Sequence, residues 1–319
     1  MRYARLAELP ERLCRRAGHD LARVGNVMSM RGLAATLLII TAACSRSAAA
    51  RASAQKSPST QNGVEASAPP SGGPVDVTEP RSGASASLRT PLQADRPIVP
   101  LPVEGFPDAV ISIPLGGTGP RPVVVATHGM WDLPEGLCDD QRYIFHDHAW
   151  VVCPRGKLMP DKTFRYMSGD ALWREIDADI TALEARFAGY VDASSMLYTG
   201  FSLGAILGVS VILREPARFP RAVLIEGGED KWTAALAEKY ASGGGKRVLF
   251  ACGLRFRVPA AEKAAAMLEK AGVSARVVLG KPPDKPEFIH WYNGPIADET
   301  RAQEPWLFEG DSRWGDSEP

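Results

Sequence analysis

Met196-Leu197-Tyr198-Thr199-Gly200-Phe201-Ser202-Leu203-Gly204-Ala205-Ile206-Leu207-Gly208-Val209 is the stretch whose reading decides the fold. Its first four residues are apolar enough to read as a buried strand. The run stops at Gly200-Phe201-Ser202-Leu203-Gly204, and an apolar segment then continues helically to about Leu213. Strand, G-x-S-x-G, helix predicts a nucleophile elbow, with Ser202 Oγ projecting at the top of a sheet. The glycines two before and two after Ser202 let that strained turn close without collision. The helix N-terminus begins there, so its free N–H groups and positive dipole end face any oxyanion formed at the serine. The plainer alternative is a glycine-rich helix start packed in an ordinary α/β domain.

Outward from the elbow, apolar runs alternate with helical patterns. Before it, Ala109–Ile113 and Pro122–Thr127 read as strands, joined through Gly116-Gly117-Thr118-Gly119-Pro120 as a hairpin. Trp150–Cys153 is the next strand. Leu172, Ile176, Ile180, Leu183 and Phe187 then recur at helical spacing over Gly169–Gly189. After the elbow come a strand at Ala222–Ile225, a helix near Lys231–Ala241, and a strand at Arg247–Ala251. A helix over Pro259–Ala271, a strand at Ala275–Leu279 and a helix around Ile296–Phe308 complete the chain. Near-continuous Val/Ile/Leu strands separated by amphipathic helices predict an α/β fold, a mostly parallel central sheet with helices on both faces.

This order, with the elbow about halfway along, resembles the α/β-hydrolase superfamily over residues 108–308. The resemblance implies a Ser…acid…His order with the histidine after the last strand. Of the five histidines, His290 alone follows Ser202; it sits past Gly280 on a Pro-rich loop (Pro282, Pro283, Pro286). His290 is therefore the candidate general base. An oxyanion hole needs two backbone donors. Leu203 N–H is one, and the loop His128-Gly129-Met130 after the strand Val123–Thr127 offers Met130 N–H as the other, with His128 supporting the loop.

The acid departs from the superfamily's commonest pattern. After the strand Arg247–Ala251, Cys252-Gly253-Leu254-Arg255-Phe256-Arg257 offers no carboxylate. Glu226, directly after the strand ending at Ile225, is the first choice, because some members of the superfamily place their acid there. Gly227 and Gly228 are read as leaving room for a second loop, and Asp230 as a helix cap. Asp284 and Glu287, beside His290, are the other candidates. Only about twenty residues separate Ile225 from Lys246, so no large cap domain is expected and the site should be open.

The N-terminal third reads differently. Residues 1–31 hold seven Arg against three acidic residues, followed by the apolar run Gly32–Cys44. A basic flank, a short apolar stretch and small residues before a cut site make an export signal. Thr41-Ala42-Ala43-Cys44 resembles the lipobox of bacterial lipoproteins, which implies a lipid on Cys44; a plain signal peptide is the alternative. Met28 and Met30 would make a more usual start, so residues 1–27 are read as a mis-called leader. Residues 45–95 are Ser, Ala, Pro and Gly with almost no large apolar side chains, too few to offset ordering entropy, and read as a disordered tether. Residues 96–319 form the folded domain.

The whole chain carries 37 basic and 37 acidic residues, which excludes a bulk electrostatic partner such as nucleic acid. Export exposes Cys138 and Cys153 to oxidising conditions, where they can pair, leaving Cys252 free and buried. His146-Asp147-His148 invites a metal reading, but two-residue spacing splits the histidines, and a surface helix end is preferred. These readings converge on an exported serine hydrolase of esters or thioesters, lipid-anchored and facing the periplasm or exterior. It needs no cofactor and no metal, and its partners are an ester substrate and a membrane. The alternative is an inactive, surface-displayed binding module on the same scaffold, motivated by the missing Asp.

Overall fold

The computed structural model describes residues 89–280 and 290–314. Thr41–Cys44 and the carboxylates Asp284 and Glu287 lie outside the described residues. An eight-stranded sheet has the order β1 (Ile98–Leu101), β2 (Ala109–Ser112), β4 (Trp150–Cys153), β3 (Arg121–Thr127), β7 (Val191–Phe201), β8 (Arg221–Ile225), β9 (Arg247–Cys252) and β10 (Ser274–Leu279). From β4 to β10 every neighbouring pair is parallel; β1–β2 and β2–β4 are antiparallel. A separate two-stranded ribbon joins β5 (Lys157–Leu158) to β6 (Phe164–Arg165).

Side-chain alternation along the strands explains the two cores. Val123 and Val125 of β3 face one core with Tyr198, Leu224 and Phe250. Val124 and Ala126 face the other with Leu197, Val223 and Leu249. The first core is closed by helices α2 (Gly169–Arg186), α3 (Leu203–Ile212), α4 (Ala234–Ser242) and α5 (Val258–Lys270), through residues such as Leu172, Ile176, Val209, Ala237 and Leu268. The second is closed by α1 (Pro134–Phe145), α6 (Pro295–Arg301) and α7 (Glu304–Leu307), through Leu137, Ile144, Ile296 and Leu307. Each of these Leu, Ile and Val side chains contributes about 1.5–3 kcal/mol when fully buried. This is the mostly parallel α/β sheet with helices on both faces that the sequence predicts.

The expected hairpin between Ala109–Ile113 and Pro122–Thr127 does not form: β4 lies between the two strands and pairs with both. The reason is burial. Trp150–Cys153 is wholly buried and needs a ladder on each side, whereas an eight-residue connection is long enough to pass over it. The helix expected around Ile296–Phe308 is two short helices. Between Glu226 and β9 there is one 3₁₀ turn and the nine-residue α4, capped by Thr233 rather than Asp230, and no large cap domain.

Leu92 exchanges backbone hydrogen bonds with Gly116 and Gly117, so the chain just before residue 96 already packs on this domain. A disulfide joins Cys138 in α1 to Cys153 at the end of β4, and Cys252 is free and buried, as expected. No helix among the described residues is long and apolar enough to cross a membrane.

Candidate active site

Ser202 stands between β7 and α3 with φ 51° and ψ −113°, a conformation that side-chain-bearing residues rarely adopt. Its N–H donates to Ile225 O at 2.9 Å, tying the turn to β8. The flanking glycines are sterically required. A Cβ on Gly204 would lie 2.3 Å from Thr127 O, and one on Gly200 would lie 2.8 Å from Ala205 N. Gly208 brings α3 so close that a Cβ there would meet the Tyr198 ring at 2.2 Å. The packing is locked by polar contacts: the Thr127 and Tyr198 hydroxyls are 2.6 Å apart, and Tyr198 donates to Gly204 O at 2.7 Å.

Three of the side chains singled out in the sequence meet here. His290 Nε2 is 3.0 Å from Ser202 Oγ, and His290 Nδ1 is 3.0 Å from Glu226 Oε2. With the proton on Nδ1, the imidazole donates to Glu226 and accepts from Ser202. Phe201 lies against the imidazole, ring centroids 5.0 Å apart, and also against Tyr292. Glu226, with φ 54°, leaves β8 in a left-handed turn that aims its side chain across the sheet edge, where it is fully buried. Its Oε1 accepts from the N–H groups of Gly253 and, at 3.0 Å, Leu254. The loop after β9, which offers no carboxylate, thus supplies the donors that hold one.

The glycines after Glu226 do a different job from the one expected. A Cβ on Gly227 would lie 2.7 Å from Ser202 O, and one on Gly228 2.8 Å from Ala205 O. They make room for the elbow and its helix, not for a second loop.

Leu203 opens α3, and N–H groups in a helix's first turn have no preceding intrahelical carbonyl. Gly129 is pressed against the elbow, since a Cβ there would meet the Phe201 ring at 2.8 Å and Ser202 Cβ at 3.4 Å. Met130 N–H therefore follows a backbone held in contact with the serine. His128 is buried beneath this loop with its ring nitrogens 2.7 Å from Gly129 O and 2.9 Å from Arg155 O. Burial lowers its pKa from the usual histidine value, and the hydrogen bonds to these two carbonyls oppose that shift. Tyr166 packs on it, ring centroids 4.5 Å apart, and donates from its hydroxyl to Pro154 O.

Sequence reasoning missed Tyr166, whose hydroxyl accepts from His128 N–H at 3.2 Å. It also missed Trp131, exposed, with φ 61°. A third omission was Arg257, 3.6 Å from Glu226 Oε2. Only Arg257 left a signal, as a basic run where an acid is usual. His146 and His148 sit in a 3₁₀ turn ending α1, with ring centroids 6.1 Å apart. Among the described residues no cluster of three or more His, Cys, Asp or Glu side chains could hold a metal ion.

No protein-family profile matches the chain, and neither does any curated protein. Among solved structures, the chain is similar to esterase PE8 at 19% identity and a TM-score of 0.46, over 60% of this chain and 94% of that one. It is similar to the Bacillus cereus carboxylesterase at 16% identity and a TM-score of 0.45, over 64% and 96%. Est1E from Butyrivibrio proteoclasticus matches at 13% identity and a TM-score of 0.47, over 67% and 98%. The assignment of the fold rests on the sheet itself.

Proposed function

We propose that this protein is an exported serine hydrolase that cleaves an ester or thioester through an acyl-enzyme. The observation that carries the reading is the hydrogen-bonded chain Ser202 Oγ–His290–Glu226 at a strained strand-to-helix turn. In the proposed cycle, Ser202 Oγ attacks the carbonyl carbon while His290 Nε2 takes its proton. The tetrahedral oxyanion is held by Leu203 and Met130 N–H groups. Collapse breaks the bond to the alcohol or thiol, which leaves with the proton from His290. Water then attacks the acyl-enzyme, losing a proton to Nε2, and Ser202 regains it as the acid is released. Glu226 holds the Nδ1–H tautomer and stabilises the imidazolium formed midway. The short connection between Glu226 and β9, which carries only a 3₁₀ turn and the nine-residue α4, favours accessible esters over a deeply enclosed lipid.

The export signal and the lipobox-like Thr41–Cys44 support anchoring through lipid on Cys44, with the domain on a tether outside the cytoplasm. The deciding experiment is labelling with a fluorophosphonate. The wild-type protein should be labelled and Ser202→Ala should not; equal labelling of both removes Ser202 from the mechanism. Palmitate labelling that survives Cys44→Ser would overturn the anchor.

A further inference from the structure

Arg257 lies in the turn between β9 and α5 and reaches two carboxylates. Its Nε is 3.6 Å from Glu226 Oε2, the oxygen that also accepts from His290 Nδ1. Its Nη1 is hydrogen-bonded to Glu229 Oε1. Both carboxylates are almost wholly shielded from water, while Arg257 Nε is itself buried and has no hydrogen-bond partner of ordinary length. The guanidinium is therefore held by Glu229 with one edge turned to the oxygen that orients the imidazole.

We propose that Arg257 is a positioning residue for the Ser202–His290–Glu226 chain, shared between Glu226 and Glu229, that fixes the Glu226 carboxylate and sets how readily His290 holds a proton. This rests on the hydrolase reading above. A buried carboxylate with no cation beside it favours the imidazolium, and an imidazolium cannot accept the serine proton. A positive charge on the same carboxylate oxygen opposes that. Glu229 draws part of the charge away, so the three groups together set the balance.

The other charged or titratable groups facing this cluster act in the same field. Burial, then the charges of Glu226 and Glu229, push the Cys252 thiol up to about 12, Arg257 opposes that shift and Glu262 on α5 adds to it. On the histidine's side, Tyr292 OH is 3.5 Å from Asp132 Oδ1. Lys281, Asp284, Lys285 and Glu287 precede His290 in sequence, outside the described residues.

The test is the titration of the His290 ring by NMR in the full chain carrying Ser202→Ala, read alongside kcat/KM against pH with Ser202 intact. Two cations that share one carboxylate oxygen, at 3.6 Å and 3.0 Å from it, interact at an effective dielectric near 20, and reduced for partial solvent exposure of the histidine this gives a shift of about one pH unit. Arg257→Met should move the midpoint up by that amount, and Glu229→Gln should move it down. Arg257→Lys should restore the wild-type midpoint while kcat stays lower, because an ammonium cannot reproduce the planar fork. A purely structural salt bridge to Glu229 would lower the melting temperature and leave the midpoint in place, and that result overturns the proposal. If Arg257→Met fails to fold, an unmoved or raised midpoint in Glu229→Gln overturns it instead. Ester turnover surviving in Ser202→Ala would remove Ser202 as the nucleophile while leaving the ring titration readable, since the titration needs no substrate.

Discussion

Replacing Glu226 by Gln changes one oxygen into an amide nitrogen at constant shape, and the surroundings dictate which way that amide must face. Oε1 accepts two backbone N–H groups, from Gly253 and Leu254. The carbonyl of the introduced amide must stay there, because turning its NH2 toward them would leave two buried donors unpaired at about 1–3 kcal/mol each. The NH2 then faces His290 Nδ1 and donates to it, which forces the ring proton onto Nε2. That tautomer cannot take the proton of Ser202. Two unpaired donors, about 2–6 kcal/mol together, reduce the productive orientation by a factor between roughly 30 and more than 10⁴. The carboxylate's stabilisation of the imidazolium is lost as well. We expect Glu226→Gln to fold and to lose on the order of 10⁴ in kcat on p-nitrophenyl butyrate, with KM little changed. Steady-state kinetics with thermal unfolding of the same preparation decide it. A folded variant within a few-fold of wild type would show that Glu226 does not orient His290.

The Cys138–Cys153 bridge closes a 15-residue separation, worth roughly 3 kcal/mol in the chain-entropy account, so reductant should lower the melting temperature and a thiol count of the oxidised domain should find Cys252 alone; three titrating thiols would refute it. Gly204→Ala places a methyl 2.3 Å from Thr127 O, so it should cost several kcal/mol or prevent soluble expression, and a melting temperature equal to wild type would contradict the packing described. Asp179 is buried with both carboxyl oxygens unpartnered, and burial, then Glu175, raises its pKa well above the ordinary value. The folded state therefore binds more protons than the unfolded one, so the group's contribution is fully present below about pH 4 and is lost as pH rises through the raised value. Asp179→Asn removes this linkage, and its melting temperature relative to wild type should climb as pH rises above about 4; parallel curves would show that Asp179 does not titrate abnormally.

Most of the sheet was legible because parallel strands buried on both faces read as unbroken apolar runs, as Val123–Ala126 and Ala222–Ile225 do. Ile98–Leu101 escaped because it contains Pro100 and lies at the sheet edge with a partly exposed face. The order of strands escaped for a different reason. Local spacing favoured a hairpin, but pairing was decided by the two-sided burial of β4, which is a property of the whole sheet. In the site, Ser202 and its glycines were readable because backbone sterics tie them to a local motif. His290 emerged by elimination among five histidines. Glu226 was ranked first without a contact to support it, and the acceptor geometry of Gly253 and Leu254 was invisible because backbone N–H groups have no sequence signature. Arg257 was hidden likewise: its partners lie 28 and 31 residues earlier, on the far side of a helix.

The members of the hydrogen-bonded chain are rooted at different depths of the sheet. Ser202 and Glu226 leave β7 and β8, central strands whose residues at those ends are buried throughout. His290 comes after β10, the terminal strand of the sheet, whose residues remain partly exposed along its length. Opening free energies are lowest at edges with few buried contacts, so the histidine's side of the site is expected to open on warming before the side that holds Ser202 and Glu226. Activity would then fail while the core still reads as folded. The working lifetime of the protein becomes a property of one sheet edge, and a bound acyl group that engages His290 would lengthen it by mass action without adding a contact anywhere in the core.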